Sequence, residues 1–85
     1  MRVPIAAALD DMRDIVDDVL LVDDDALVDA MRRVHVHHGL VIEPAGAAGL
    51  AALVAHAPAF ARQRVATVLA GGNLTAQQVR QWLAA

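Results

Sequence analysis

Only two stretches of this chain read as buried strands, and two strands without a third neighbour do not make a stable sheet. The first is residues 19–22, where Val19, Leu20, Leu21 and Val22 form an unbroken branched apolar run between Asp17-Asp18 and Asp23-Asp24. The second is residues 64–70, from Arg64 through Val65, Val68 and Leu69 to Ala70. The remaining periodic segments read as helix. The order helix, strand, helix, helix, strand, helix is the alternation of an α/β protein. With so few strands, the expectation is an incomplete three-layer αβα piece of a larger sheet. The chain has no internal repeat and no low-complexity linker.

The helices carry clear start and stop signals. Pro4 suits a first helical turn because it has no N–H to leave unpaired. Ile5, Leu9, Met12 and Val16 then recur at helical spacing with Asp10, Asp11 and Asp14 between them, which predicts a helix over 5–15. Asp24 or Asp25 can cap the next helix by accepting from a free backbone N–H. Leu27, Met31, Val34 and His38 share a face, and Gly39 is a natural left-handed terminator, so this helix is predicted over 25–38.

Leu40, Val41 and Ile42 form a short extended link into Glu43 and Pro44, and a helix of small residues follows over 44–56. Gly46 and Gly49 lie on one face of it. Glycine costs about 1 kcal/mol against alanine in a helix interior, so a pair of them points to close approach of another backbone or a bound ligand. Pro58 closes this helix. Gly71, Gly72 and Asn73 read as a turn, and Thr75 with Gln78 has the pattern of a capping box opening a helix over 76–84.

The chain has 85 residues, one domain at most, and a domain this small is marginal without a partner, a metal or a disulfide. Cysteine is absent, which removes disulfides, thiolate metal sites and a cysteine nucleophile, and fits a cytoplasmic protein. Nineteen residues are alanine, and Phe60 and Trp82 are the only aromatics. Such a composition suits helices packed closely against a larger body better than a self-sufficient core.

Nine aspartates stand against two arginines in residues 1–30, whereas one glutamate stands against five arginines in residues 31–85. An acidic first third argues against nucleic-acid binding, and the later arginines do not interleave with aromatics as a nucleic-acid platform would. The longest uncharged apolar run, residues 45–55, falls short of the about 18 residues that a membrane span needs, and no secretory leader is expected.

Five ordered segments resemble one family: Arg2-Val3-Pro4, the run from Val16 through Asp24, Ala30-Met31-Arg32, the run Gly39-Leu40-Val41-Ile42-Glu43-Pro44-Ala45-Gly46-Ala47-Ala48, and Leu69-Ala70-Gly71-Gly72-Asn73-Leu74. A lone Gly-Gly-Asn is weak. Glu-Pro-Ala-Gly-Ala followed at this distance by Leu-x-Gly-Gly-Asn is specific. The pattern is similar to the end of the catalytic domain of the threonine/serine dehydratases, the fold-type II pyridoxal-phosphate enzymes that include serine racemase.

That resemblance implies an ammonia-lyase taking threonine to 2-oxobutanoate, or serine to pyruvate. In the family the cofactor forms a Schiff base with a lysine of a Ser-x-Lys motif. A glycine-rich loop holds its phosphate, and the pyridine ring acts as electron sink. Carried over residue by residue, the resemblance makes Glu43, Gly46, Ala47, Ala70, Gly71, Gly72 and Asn73 the cofactor-facing set. Glu43 matches the glutamate near the ring. Ala70 stands where the family usually has serine or cysteine facing the ring nitrogen, and alanine cannot make that interaction.

Larger departures concern what is missing. All seven basic residues are arginine, so no lysine is present to form the imine, and neither the Ser-x-Lys motif nor the phosphate loop occurs. The expectation is a C-terminal segment of a catalytic domain, not catalytic by itself and holding no cofactor alone. Its partners would be the missing N-terminal part or a homologous chain, with self-association when neither is present, and its parent's substrate an amino acid. The alternative is a stand-alone interaction module that pairs with a full-length homologue. Surface charges on the faces over 45–55 and 65–70 would favour that module, and those faces carry none.

Other features have plainer readings. His35 and His38 share a helical face, but His37 points elsewhere, so the group is read as solvated or packing histidines and not as a metal site. Asp23, Asp24 and Asp25 suit a helix start without any ion. Gly71-Gly72-Asn73 ahead of a helix lacks a second glycine-rich element or a basic residue, so it is not read as a nucleotide cradle.

Overall fold

The computed structural model describes residues 5–83. Among the described residues there are four helices, α1 (Ala6–Met12), α2 (Asp24–His38), α3 (Ala48–Ala55) and α4 (Ala76–Trp82), with 3-10 turns at Pro44–Ala47 and Ala57–Phe60. The Pro4 signal and the last residue of the predicted final helix lie outside the described residues.

The helix α2 anchors the molecule. It starts where Asp23, not Asp24 or Asp25, accepts a hydrogen bond from the Ala26 N–H at 2.8 Å, and this leaves Asp24 and Asp25 in the first turn, facing the positive end of the helix. It stops at Gly39, whose φ of 67° is left-handed and whose N–H closes on the His35 carbonyl at 2.9 Å. Ala30, Met31 and Val34 on its inner face are buried, and they meet Ile42 of the preceding link, Ala47 of the 3-10 turn and Ala51 of α3. Val22, Leu27, Leu50, Leu74 and Trp82 close around this cluster. Three of its six members are alanines, so α3 lies close to α2, and Met31, fully buried, is the one large side chain at the centre.

Local chemistry sets the other helix ends. Thr75 and Gln78 form the capping box reciprocally, with Gln78 N–H donating to Thr75 Oγ1 at 3.1 Å and Thr75 N–H to Gln78 Oε1 at 2.9 Å. The Arg32 guanidinium donates to the Trp82 carbonyl at 2.6 Å and ties the end of α4 to α2. Helix α1 ends at Met12, short of the predicted residue 15, and buries no residue. Asp14 would sit beside its negative C-terminal end, where an acid is unfavourable. The predicted helix over 44–56 begins as a 3-10 turn, in which Gly46 N–H donates to the Glu43 carbonyl at 2.9 Å, and becomes α-helical only from Ala48.

Both strand expectations need correction. Residues 16–23 and 63–75 carry no ladder, and no strand occurs among the described residues. The αβα layering is therefore represented here by its helices alone. A strand exists only against a neighbouring strand, because its N–H and C=O groups point sideways out of the segment. Neither run finds one. Leu21 carbonyl instead lies 2.8 Å from His56 Nε2, and the second run lies along α3.

The consequences are visible in size. The chain exposes 6823 Å², whereas a compact monomer of its 9.0 kDa mass exposes about 4,900 Å². Its radius of gyration is 14.3 Å, against about 12 Å for a closed globule of this length.

Candidate functional site

Small residues build the site by letting two segments touch. Past Glu43, Pro44 removes one N–H, and the 3-10 turn presents Gly46 toward the incoming segment that ends at Ala70. A methyl group on Gly46 would land on the Ala70 carbonyl oxygen, and one on Gly49 would land on Thr67 Oγ1. Close backbone approach, expected from the glycine pair, is thus met by residues 67–70 of the same chain.

Hydrogen bonds fix that approach. Glu43 N–H donates to the Gly71 carbonyl at 2.8 Å, and Ala70 N–H donates to the Gly46 carbonyl at 3.3 Å. Gly71 turns the chain with φ of 75°, and its bare Cα faces the Glu43 carboxylate, which a side chain at that position would strike. A side chain on Gly72 would meet Val41 carbonyl oxygen only at an ordinary 3.5 Å. The result is a small wall in which Glu43, Gly46, Ala70 and Gly71 touch, with Gly72 beside Val41.

Two residues of the expected set fall elsewhere. Ala47 is fully buried and packs in the cluster around Met31. Asn73 is exposed, at the step where Leu74 N–H reaches back to the Gly72 carbonyl at 2.9 Å. Thr67, which lies against Gly49, was not singled out from the sequence. The glycine pair signalled a close neighbour, but nothing local to Thr67 named it.

Beside this wall runs a groove of about 370 Å³. Leu50 and Val54 of α3 and Leu69 form its apolar side, and Arg33, His37 and His38 of α2 its basic rim. Arg33 is held by Asp29 at 2.7 Å across one helical turn. His35 lies apart from the rim, with a buried Nδ1 that has no hydrogen-bond partner. Among the described residues no three His, Asp or Glu side chains converge as a metal site, and no helix is long and apolar enough to cross a membrane.

The family described as pyridoxal-phosphate dependent enzyme matches residues 1–71. The rice (Oryza sativa subsp. indica) protein named serine racemase is 35% identical over 68 residues, which cover 74% of this chain and 20% of the racemase. An L-threo-3-hydroxyaspartate ammonia-lyase of Pseudomonas sp is 41% identical over 63 residues, covering 74% of this chain and 20% of that enzyme. A beta-hydroxyaspartate dehydratase of Paracoccus denitrificans is 36% identical over 59 residues, covering 69% of this chain and 19% of that enzyme. No solved structure matches the chain significantly.

The chain belongs to the pyridoxal-phosphate dependent enzyme family, whose members use that cofactor and whose fold-type II domain is α/β. It spans about a fifth of the length of the curated relatives it matches.

The residues present do not by themselves fit the cofactor. There is no lysine to form an imine. The spaces bared by Gly46 and Gly71 are filled by Ala70 and Glu43 of this same chain and do not form an open cradle.

Proposed function

We propose that this chain supplies one wall of the active site of a pyridoxal-phosphate-dependent ammonia-lyase acting on β-hydroxy amino acids, of the threonine/serine dehydratase type. In this reading it forms the C-terminal portion of the catalytic domain and works in the cytoplasm. The observation that carries the reading is the junction of Glu43 with Gly71, two residues 28 positions apart that the Glu43 N–H to Gly71 carbonyl bond holds together. These are two of the positions where the family resemblance expects the cofactor ring to be approached. The names of the relatives, a serine racemase and two hydroxyaspartate lyases, support a substrate with a hydroxyl beside the amino-bearing carbon.

The lysine and the phosphate-binding loop are not among these 85 residues and would be supplied by the rest of the catalytic domain. Of the expected set, Glu43, Ala70 and Gly71 are the residues proposed to face the cofactor. Gly46 acts by letting the loop approach, Gly72 and Asn73 shape the loop, and Ala47 holds the helix to its core. With Ala70 lacking a polar side chain, tuning at the ring nitrogen falls to another group.

The test is a chimera in which this chain replaces the matched stretch of the rice serine racemase. The expected outcome is a folded protein that binds pyridoxal phosphate on the racemase's own lysine and releases ammonia from a β-hydroxy amino acid. Glu43→Gln should lower that rate without loosening the fold. A folded chimera that binds no cofactor sinks the reading.

A further inference from the structure

A second close contact joins the same two elements one turn beyond the wall. Gly46 meets Ala70, and Gly49, three residues further on, meets Thr67, three residues earlier in the run that ends at Ala70. The first contact is backbone on backbone. The second is made by a side chain: where a methyl group on Gly49 would stand, Thr67 Oγ1 is the nearest atom, with Thr67 Cβ at 3.0 Å and Cγ2 at 3.9 Å. Thr67 and Leu69 are two positions apart, on one side of an extended run, and both line the groove with Leu50 and Val54 of α3. That side of the run is the one that faces α3.

Two contacts fix an angle that one leaves free. With Gly46 on Ala70 alone, the 3-10 turn and α3 can swing about that point. Gly49 lies three residues beyond the pivot and Glu43 three residues before it, so at a helical rise of about 1.5–2 Å per residue both arms are about 5–6 Å long. A slack of about 1 Å at Gly49 therefore reappears as about 1 Å at Glu43, in the opposite direction. Glu43 N–H reaches the Gly71 carbonyl at 2.8 Å, and a hydrogen bond stretched past about 3.5 Å is no longer one. The bond from Ala70 N–H to the Gly46 carbonyl sits at the pivot and does not resist the swing. Ladder bonds to other strands of the domain would not set this angle either, because they run sideways from the run and leave its face toward α3 open.

We propose that Thr67 is a positioning residue: through Gly49 it sets the angle at which α3 crosses residues 64–70, and so holds Glu43 against Gly71. Glycine at 49 leaves the space, and the hydroxyl-bearing side chain at 67 fills it. Use of the Glu43–Gly71 junction by an enzyme rests on the ammonia-lyase reading. The coupling of Thr67 to that junction is a property of this chain alone.

The experiment uses the full 85-residue chain and the scalar coupling that nuclear magnetic resonance detects across a hydrogen bond. The coupling from the Glu43 nitrogen to the Gly71 carbonyl carbon reads the junction, and the one from Gly39 to His35 reads the rest of the fold. Thr67→Ala, which empties the contact, should abolish the Glu43 coupling and leave that of Gly39 in place. Gly49→Ala should do the same by pushing Thr67 away. The two together should restore it, because the new methyl then meets only the Cβ of residue 67, at 3.0 Å, where a few tenths of an ångström of give suffices. Thr67→Ser keeps Oγ1 and should behave as wild type. A side chain that only adds stability would lower the melting point without touching the Glu43 coupling, or would lose both couplings at once. Either of those outcomes, no Glu43 coupling in the wild-type chain, or a double variant no better than Gly49→Ala, overturns the proposal. None of them bears on the ammonia-lyase reading, which the chimera tests separately.

Discussion

Replacing Gly46 by alanine inverts an ordinary rule of helix stability and so probes the wall directly. On an exposed helix the exchange gains about 1 kcal/mol. Here the new methyl group lands on the Ala70 carbonyl, with the carbonyl carbon at 2.6 Å and the Ala70 nitrogen at 3.3 Å. A comfortable contact lies near 3.5 Å or beyond and the carbonyl oxygen is the nearest atom, so residues 67–71 must retreat by roughly 2 Å. That retreat stretches the Ala70 N–H to Gly46 bond, already 3.3 Å long, and pulls on the Glu43 N–H to Gly71 bond at 2.8 Å.

Each lost bond costs about 1 kcal/mol, and forcing a methyl into a filled contact costs about 1–3 kcal/mol. With both bonds lost and the helix gain set against them, the net loss is about 2–4 kcal/mol. Urea denaturation reads the total, and hydrogen exchange at the Glu43 and Ala70 amides reads the location. Gly72→Ala is the control, because its methyl meets Val41 oxygen at an ordinary 3.5 Å, and it should stay within about 0.5 kcal/mol of wild type. A Gly46→Ala chain as stable as wild type, with its two amides equally protected, would refute the close approach on which the wall rests.

Other perturbations follow from the same contacts. Met31→Ala empties the one large, fully buried side chain of the core and should cost about 2–5 kcal/mol in denaturant melts. Thr75→Ala removes one half of the capping box and should cost about 1 kcal/mol, read as lost helical circular dichroism and faster amide exchange in α4. Gly71→Ala should destabilise through both its φ of 75° and the Glu43 carboxylate. Adding Glu43→Ala should recover the contact part of that cost and leave the backbone part, a non-additivity that a double-mutant cycle measures.

What the sequence determined by itself is local chemistry. The left-handed stop at Gly39, the capping box of Thr75 and Gln78, the inner face of α2 through Met31 and Val34, and the bar that the absence of lysine sets on imine formation follow from residues a few positions apart. The start of α2 is local too: acids at 23, 24 and 25 all suit a cap, and Asp23, with extended backbone, is the one whose carboxylate accepts from the Ala26 N–H. Family membership was legible for a related reason, since short motifs at fixed spacing survive in the string itself.

Only the tertiary structure decided which segments meet. The runs at 19–22 and 64–70 have strand composition, but a strand is a relation between two segments, and the described chain brings no partner to either. Ala47 and Gly46 are neighbours in one motif, yet one turns into the core and the other faces Ala70, a division set by the pitch of a 3-10 turn packed between α2 and the returning chain. The glycines announced that something comes close. That it is Ala70, Thr67 and the carboxylate of Glu43 depends on contacts between residues far apart in the chain, which no local pattern encodes.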